Sequence, residues 1–284
     1  MLMADDKSHK GHTDISEHDQ PGRLKRLLRF TAASWRLNLA GAMEFRFSFL
    51  LTVGSMIVNN IVWIIFWGMY FKRFPVLNGW TLQDVMMMWA AASGGFGIMS
   101  VFFGNATRLA NLIATGQLDV YLAQPKPVLL NVLISRMSVS AIGDLLFAIF
   151  IFVGFGDVSP VGIVKFTAAL LISGMIFIFF CVIAGCLSFW LGNTEGLSFQ
   201  LFNALLVFAT YPTAIFKGFG RLVLFTVIPA GFISSMPVSF IREIDLPFLY
   251  GALGMTALLC AGGILLFYRG LRRYTSGNMM GLRR

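Results

Sequence analysis

Long apolar runs joined by short polar segments dominate the chain. A helix needs about 20 mostly apolar residues to cross a bilayer, and six runs meet that requirement: about 47–71, 85–103, 137–155, 162–190, 197–216 and 248–267. The fifth carries Pro212, which predicts a bend. The stretch 218–240 is also apolar, but Gly218, Gly220, Pro229, Gly231 and Pro237 interrupt it and Arg221 charges it. That pattern predicts a re-entrant hairpin, whose irregular backbone must be buried in protein or line a cavity. Ahead of the first run, within 22–46, Leu24, Leu27, Leu28, Thr31, Trp35, Leu39 and Ala42 recur at helical spacing. Arg23, Lys25, Arg26, Arg29 and Arg36 fall on the opposite face. This predicts an interfacial amphipathic helix anchored by Trp35.

The expected fold class is therefore all-α: a polytopic membrane protein with six transmembrane helices, an N-terminal interfacial amphipathic helix and a re-entrant hairpin between spans five and six. The expected organisation is a disordered cytoplasmic tail over 1–21, the interfacial helix over 22–46, a transmembrane domain over 47–267 and a basic cytoplasmic tail over 268–284.

Composition agrees with this reading. Of 284 residues 57% are apolar and 12% charged, against about 45–50% and about 25% in soluble domains, and mean hydropathy is +0.77. The net charge of +9 would suggest nucleic acid in a soluble protein, but no nucleic-acid-binding motif accompanies it. With six crossings and both termini cytoplasmic, fourteen basic residues near the spans fall inside and six outside. A seventh crossing would export the arginines at the C-terminus, so the positive-inside rule favours six.

Catalytic chemistry is not in view. No soluble segment is long enough to fold as a catalytic domain. A P-loop requires Gly-Lys, and that pair does not occur. Cys181, Cys186 and Cys260 all lie in apolar runs, without a CxxC pair. His9, His12 and His18 sit in the polar tail, where too few apolar residues are present to organise a metal site. Within the spans, Asp144 stands about two turns into the third, and intramembrane acids are functional candidates. Asn59 and Asn60 in the first span suit interhelical hydrogen bonds or a substrate path. Trp63, Trp67 and Trp80 read as anchors near the outer boundary. The small residues Ala90, Ala91, Ala92, Gly94, Gly95 and Gly97 predict close helix approach in the second span.

The loop between spans two and three carries the most specific pattern. Asn105 to Gly116 reads as a short amphipathic helix, with Asn105 as N-cap and Gly116 as stop. Leu109, Leu112 and Ile113 make its apolar face, and Arg108, Asn111 and Thr115 its polar one. Next come Gly116, Leu118, Asp119, Leu122 and Pro125, in the arrangement G-x-L-D-x-x-L-x-x-P. This stretch resembles bacterial ABC-2 type transporter permeases, and more narrowly the small six-span ABC-2 family transporter proteins. Tyr211-Pro212 through Val227-Ile228-Pro229, and Gly270-Leu271-Arg272-Arg273-Tyr274-Thr275-Ser276-Gly277-Asn278, resemble two further stretches of that branch, so the resemblance extends over about 22–284.

The resemblance implies a permease subunit of an ATP-driven exporter in a bacterial inner membrane. Such a subunit is not itself an enzyme and binds no cofactor. ATP and magnesium would sit on a separate ABC ATPase, two copies of which dock beneath a pair of permeases, identical or paralogous. The helix over 105–116 would be a coupling helix, making Arg108, Asn111, Thr115 and Asp119 candidate ATPase-coupling residues. Asn59, Asn60 and Asp144 are candidates for a translocation path. Membrane lipid is an expected partner and nucleic acid is not. Two competing readings remain open on the residues alone: a proton-driven secondary transporter using Asp144, and a non-transport membrane scaffold.

Overall fold

The computed structural model describes residues 22–242 and 245–275; the tail 1–21 and the end of the basic tail lie outside them. The described chain is helical, with no strand beyond a single isolated bridge between Leu77 and Trp80. In chain order the helices are α1 (Arg23–Ala42), α2 (Arg46–Arg73), α3 (Leu82–Phe102), α4 (Leu109–Ala114), α5 (Asp119–Leu122), α6 (Val128–Ile134), α7 (Ser140–Phe155), α8 (Pro160–Cys186), α9 (Ser188–Leu191), α10 (Glu195–Ala209), α11 (Gly218–Thr226), α12 (Ala230–Arg242) and α13 (Leu246–Leu271).

Among the described residues four helical stretches are long and apolar enough to cross a membrane: α2, α3, α8 with α9, and α13. The third and fifth apolar runs give shorter helices, α7 with 16 residues and α10 with 15, or about 22–24 Å at 1.5 Å per residue. Each is shortened for a local reason. Residues 137–139 are not helical; the Ser138 N–H is spent on the Ser100 carbonyl at 2.8 Å. Asp144 therefore sits little more than one turn into its helix, not two. At the other site Pro212 ends α10 rather than bending it, and Thr213–Ile215 continue as a 3-10 turn. Proline lacks the N–H a helix needs and disfavours helical backbone in the residue before it.

Helix starts follow from capping chemistry. Thr81 and Asp84 form a capping box on α3, Ser159 accepts from the Gly162 N–H ahead of α8, and Asp245 accepts from Phe248 N–H at 3.1 Å ahead of α13. Between α2 and α3 the chain turns through Asn78 (φ 47°) and Gly79 (φ 86°), the left-handed pair of a tight turn.

α3 is the central helix: 83% of its apolar window is buried, against 11% for α2 and 11% for α13. Lipid offers no hydrophobic force between helices, so close packing of small residues must hold them. A Cβ on Gly95 would lie 2.6 Å from the Ser173 Cβ and 3.1 Å from the Gly174 nitrogen, so α3 and α8 nearly touch backbones. α2 attaches by a narrow stripe, Val53, Asn60 and Trp67 at seven-residue spacing, with Phe71. A Cβ on Gly143 would meet the Val53 carbonyl at 2.6 Å, which places α7 against that stripe. Trp67 and Trp80 are buried in this packing rather than exposed as boundary anchors, because α2, α3 and α7 close over them.

α11 and α12 form a helical hairpin with Val227–Pro229 at its turn. Ala230, Ile233 and Ser234 are fully buried, and the Thr213 and Ser235 hydroxyls pair at 2.6 Å. α1 lies across the ends of α3 and α6. The Trp35 indole donates to the Phe102 carbonyl at 2.8 Å and Asn38 donates to the Ile134 carbonyl at 3.0 Å.

Candidate functional site

Two hollows lie on either side of Phe96. The inner one, about 530 Å³, is lined by Phe96, Ser100, Gly104, Thr107, Arg108, Ser138, Glu195, Gly196, Phe199 and Phe202. The second, about 260 Å³, is lined by Met56, Asn59, Asn60, Trp63, Trp89, Ser93, Phe96, Asp144, Leu206, Val207 and Thr210. α3 and α10 wall both. The Phe96 and Phe202 rings, 6.1 Å apart, stand at the partition. A larger hollow of about 830 Å³ is lined, among the described residues, by α13 and the arginines after it; these form a groove along one helix, not a chamber.

The second hollow joins the residues that the sequence singled out in spans one and three. Asn60 Nδ2 donates to Asp144 Oδ1 at 2.8 Å, and both residues are 2% exposed. Asp144 Oδ2 has no hydrogen-bond partner among the described residues. Asn59 lies exposed beside this pair and lines the same hollow. Trp63 and Trp89 stack with centroids 5.1 Å apart. The sequence did not single out Trp89, Ser93, Phe96 or Thr210 for this chamber. Their only signal is helical spacing along α3 and α10, which ordinary packing residues share.

The loop between α3 and α7 is built differently from the amphipathic helix expected over 105–116. A 3-10 turn, Ala106–Arg108, leads into α4, which stops at Thr115 and Gly116, the latter at φ 78°. Asn105 does not cap. Its amide donates instead to the Val132 carbonyl at 3.0 Å and the Ser135 hydroxyl at 2.7 Å, tying the turn to α6. Leu109, Leu112 and Ile113 are buried as the pattern predicts, but so are Ala110 and Ala114. α4 is thus enclosed on most sides, and Gly185 of α8 approaches Leu109 closely.

The four coupling candidates diverge. Arg108 is exposed. Asn111 donates to Glu195 Oε2 at 2.8 Å, bonding α4 to the first residue of α10. Thr115 donates to the Asn111 carbonyl at 2.8 Å. Asp119 lies beside Tyr274, whose hydroxyl also faces the backbone of Leu118 and Asp119. Burial first, and then this carboxylate, push the phenol up to about 12. The G-x-L-D pattern and the C-terminal Arg-Arg-Tyr pattern, 155 residues apart by number, therefore meet in space, with the Tyr274 ring also edge-on to Phe189.

The sequence model described as ABC-2 family transporter protein matches residues 57–278. The chain belongs to this family. The match begins inside α2 and takes in the inner hollow, the second hollow apart from Met56, and the contact of Asp119 with Tyr274; α1, which the sequence resemblance had included, lies outside it. Membership makes the chain a membrane permease component of an ABC transporter, a class whose membrane domains are generally not catalytic. No curated protein and no solved structure matches it.

Proposed function

We propose that this chain is the permease subunit of an ATP-driven exporter, working with two copies of a separate ATPase and a second permease in a bacterial inner membrane. In this reading α2, α3, α7, α8 with α9, α10 and α13 are six crossings, and both termini are cytoplasmic. The irregular backbone after the short α10 has Pro212 and Thr213 buried in protein, as membrane depth demands. α11 and α12, of 9 and 13 residues, are each too short to cross and form a re-entrant hairpin on the outer side. α1 lies in the inner interface with Leu24 and Leu28 outward, 70% and 61% exposed. ATP and magnesium sit on the partner ATPase.

The observation that carries this reading is the bond between Asn111 and Glu195. It fastens the family's loop to the foot of α10, the helix that walls both hollows. A displacement of the loop by an ATPase below would be delivered to that helix. Support for a second permease comes from α2, which leaves most of its face uncovered and exposes Asn59 at mid-helix, where lipid alone would leave a polar amide unsatisfied.

The test is purification of the tagged chain from native membranes in mild detergent, followed by mass spectrometry. A stoichiometric P-loop ATPase is expected, and Arg108→Glu should reduce its recovery without lowering permease yield. An abundant, intact chain that brings no ATPase would overturn the proposal and shift weight to a gradient-driven transporter centred on Asp144.

A further inference from the structure

The chamber around Asp144 has a chemical preference written into its hydrogen bonds. Its donors are largely spent. One N–H of the Asn60 amide goes to Asp144 Oδ1, the Ser93 hydroxyl to the Trp89 carbonyl at 2.8 Å, and the Thr210 hydroxyl to the Val207 carbonyl at 2.8 Å. What is left over is mostly acceptors: the Asn60 carbonyl, the hydroxyl lone pairs and, sealed within the wall, Asp144 Oδ2. Against them stand the Asn59 amide at the mouth and the Trp89 indole N–H, itself buried and without an acceptor among the described residues. No lysine, arginine or histidine is among the described residues that line it. A carboxylate shielded from water and lacking a counter-charge is costly, and a ligand bringing positive charge and N–H donors would relieve that cost. The remaining walls are apolar and aromatic, led by the stacked Trp63 and Trp89, and indole is the best aromatic partner for a cation.

We propose that this chamber binds a small protonated amine with an apolar body, its ammonium drawn to the Asp144 carboxylate and its body lying against the tryptophans. The volume of about 260 Å³ falls just below the range of drug-sized ligand sites, about 300–1,000 Å³, so a ligand as small as an arylalkylamine fits the scale. The inference deepens the exporter reading by supplying a cargo class, and only its transport aspect rests on that reading.

The experiment uses the purified full-length chain in detergent, titrated with 2-phenylethylammonium, 2-phenylethanol and 3-phenylpropionate, and read by calorimetry and tryptophan fluorescence. Saturable amine binding at least tenfold tighter than the alcohol, with no binding of the carboxylate, is expected. Asp144→Asn should reduce the amine to the level of the alcohol. Val207→Trp, on the exposed rim, should block binding while leaving the pair of Asn60 and Asp144 intact, so the test survives if the first variant misfolds. Equal binding of alcohol and amine, or amine binding unchanged in the folded variants, would overturn the proposal. The assay needs no ATPase. Its failure leaves the exporter reading standing, and a failed ATPase co-purification leaves the chamber standing.

Discussion

Replacing Asn60 by leucine would leave the Asp144 carboxylate buried with neither oxygen bonded, since Asn60 provides the one bond it has among the described residues. Hydrogen bonds to charged groups contribute about 1.5–3 kcal/mol in soluble proteins, whereas interhelical bonds in membranes average about 0.6 and reach about 1.7. A charge-assisted bond between two residues 2% exposed belongs at the upper end of the membrane range, so Asn60→Leu should destabilise by about 1.5 kcal/mol. Asp144→Leu removes an intramembrane charge, whose insertion cost reaches about 2.5–3.5 kcal/mol at a helix centre and is less near an end, and strands only a neutral amide, so its effect should be small. The double variant removes both polar groups and should match or exceed wild type, giving a coupling of about 1–2 kcal/mol. Denaturation of the purified chain would be followed by far-ultraviolet circular dichroism, because Trp63 and Trp89 wall the site and their fluorescence would report local change. If the single effects simply add to within about 0.5 kcal/mol, the bond is not energetically real and the reasoning fails. A double variant that is stable yet binds no amine would separate the pair's role in binding from its role in folding.

Gly95→Ala should cost about 1–3 kcal/mol by overpacking, because the atoms it would strike include α8 backbone. Gly154→Ala, with nothing within 4 Å, serves as control, and equal melting temperatures for the two variants would contradict the packing argument. Cysteines at Lys217 and Leu246, exposed at the two ends of the hairpin, should both react with an impermeant thiol reagent added outside; reaction from opposite sides would mean that the segment crosses. Ser234, inside the hairpin, is fully buried and would not report. Folding keeps the Tyr274 phenol protonated beyond its ordinary value of 10, up to about 12. The stability it contributes is whole below the ordinary value and is lost as pH rises through the folded one. Asp119→Asn should bring its ionisation part-way back, seen as earlier phenolate absorbance relative to a Tyr274→Phe reference, and an unchanged titration would rule out the contact.

The helices were legible because apolar runs of this length have few other uses. Their ends were less so where a single backbone group decided them: the Ser138 N–H bonded to Ser100 delays α7, and Pro212 stops α10. Gly95 was readable as a packing residue because small residues cluster around it. The tryptophans misled, since a Trp at a membrane boundary and a Trp sealed between helices have the same sequence signature. Asn60 and Asp144 were each visible as polar residues in apolar runs, yet their pairing depends on α2 and α7 crossing at Gly143, which no spacing reveals. The meeting of Asp119 with Tyr274 was hidden for the same reason: each belongs to a recognisable stretch, and only the fold places one on the other.

Where polar groups are spent divides the molecule into two parts with different work. α3, α8 and α13 meet largely through glycines and apolar side chains, with Ser173 against Gly95 an exception, and close packing of that kind holds helices together in lipid without polar help. The pair of Asn60 and Asp144, Ser93 and Thr210 gather instead where α2, α7 and α10 leave space against α3. Buried polarity beside a cavity adds desolvation cost that the packed half shows to be unnecessary for holding helices, so its placement is better explained by what the cavity holds. α10 connects that chamber to the rest: its foot bonds to Asn111, its lower half walls the inner hollow and its upper half walls the second. A change in the tilt of α10 would alter both volumes together, while the packing of α3 on α8 could remain as it is.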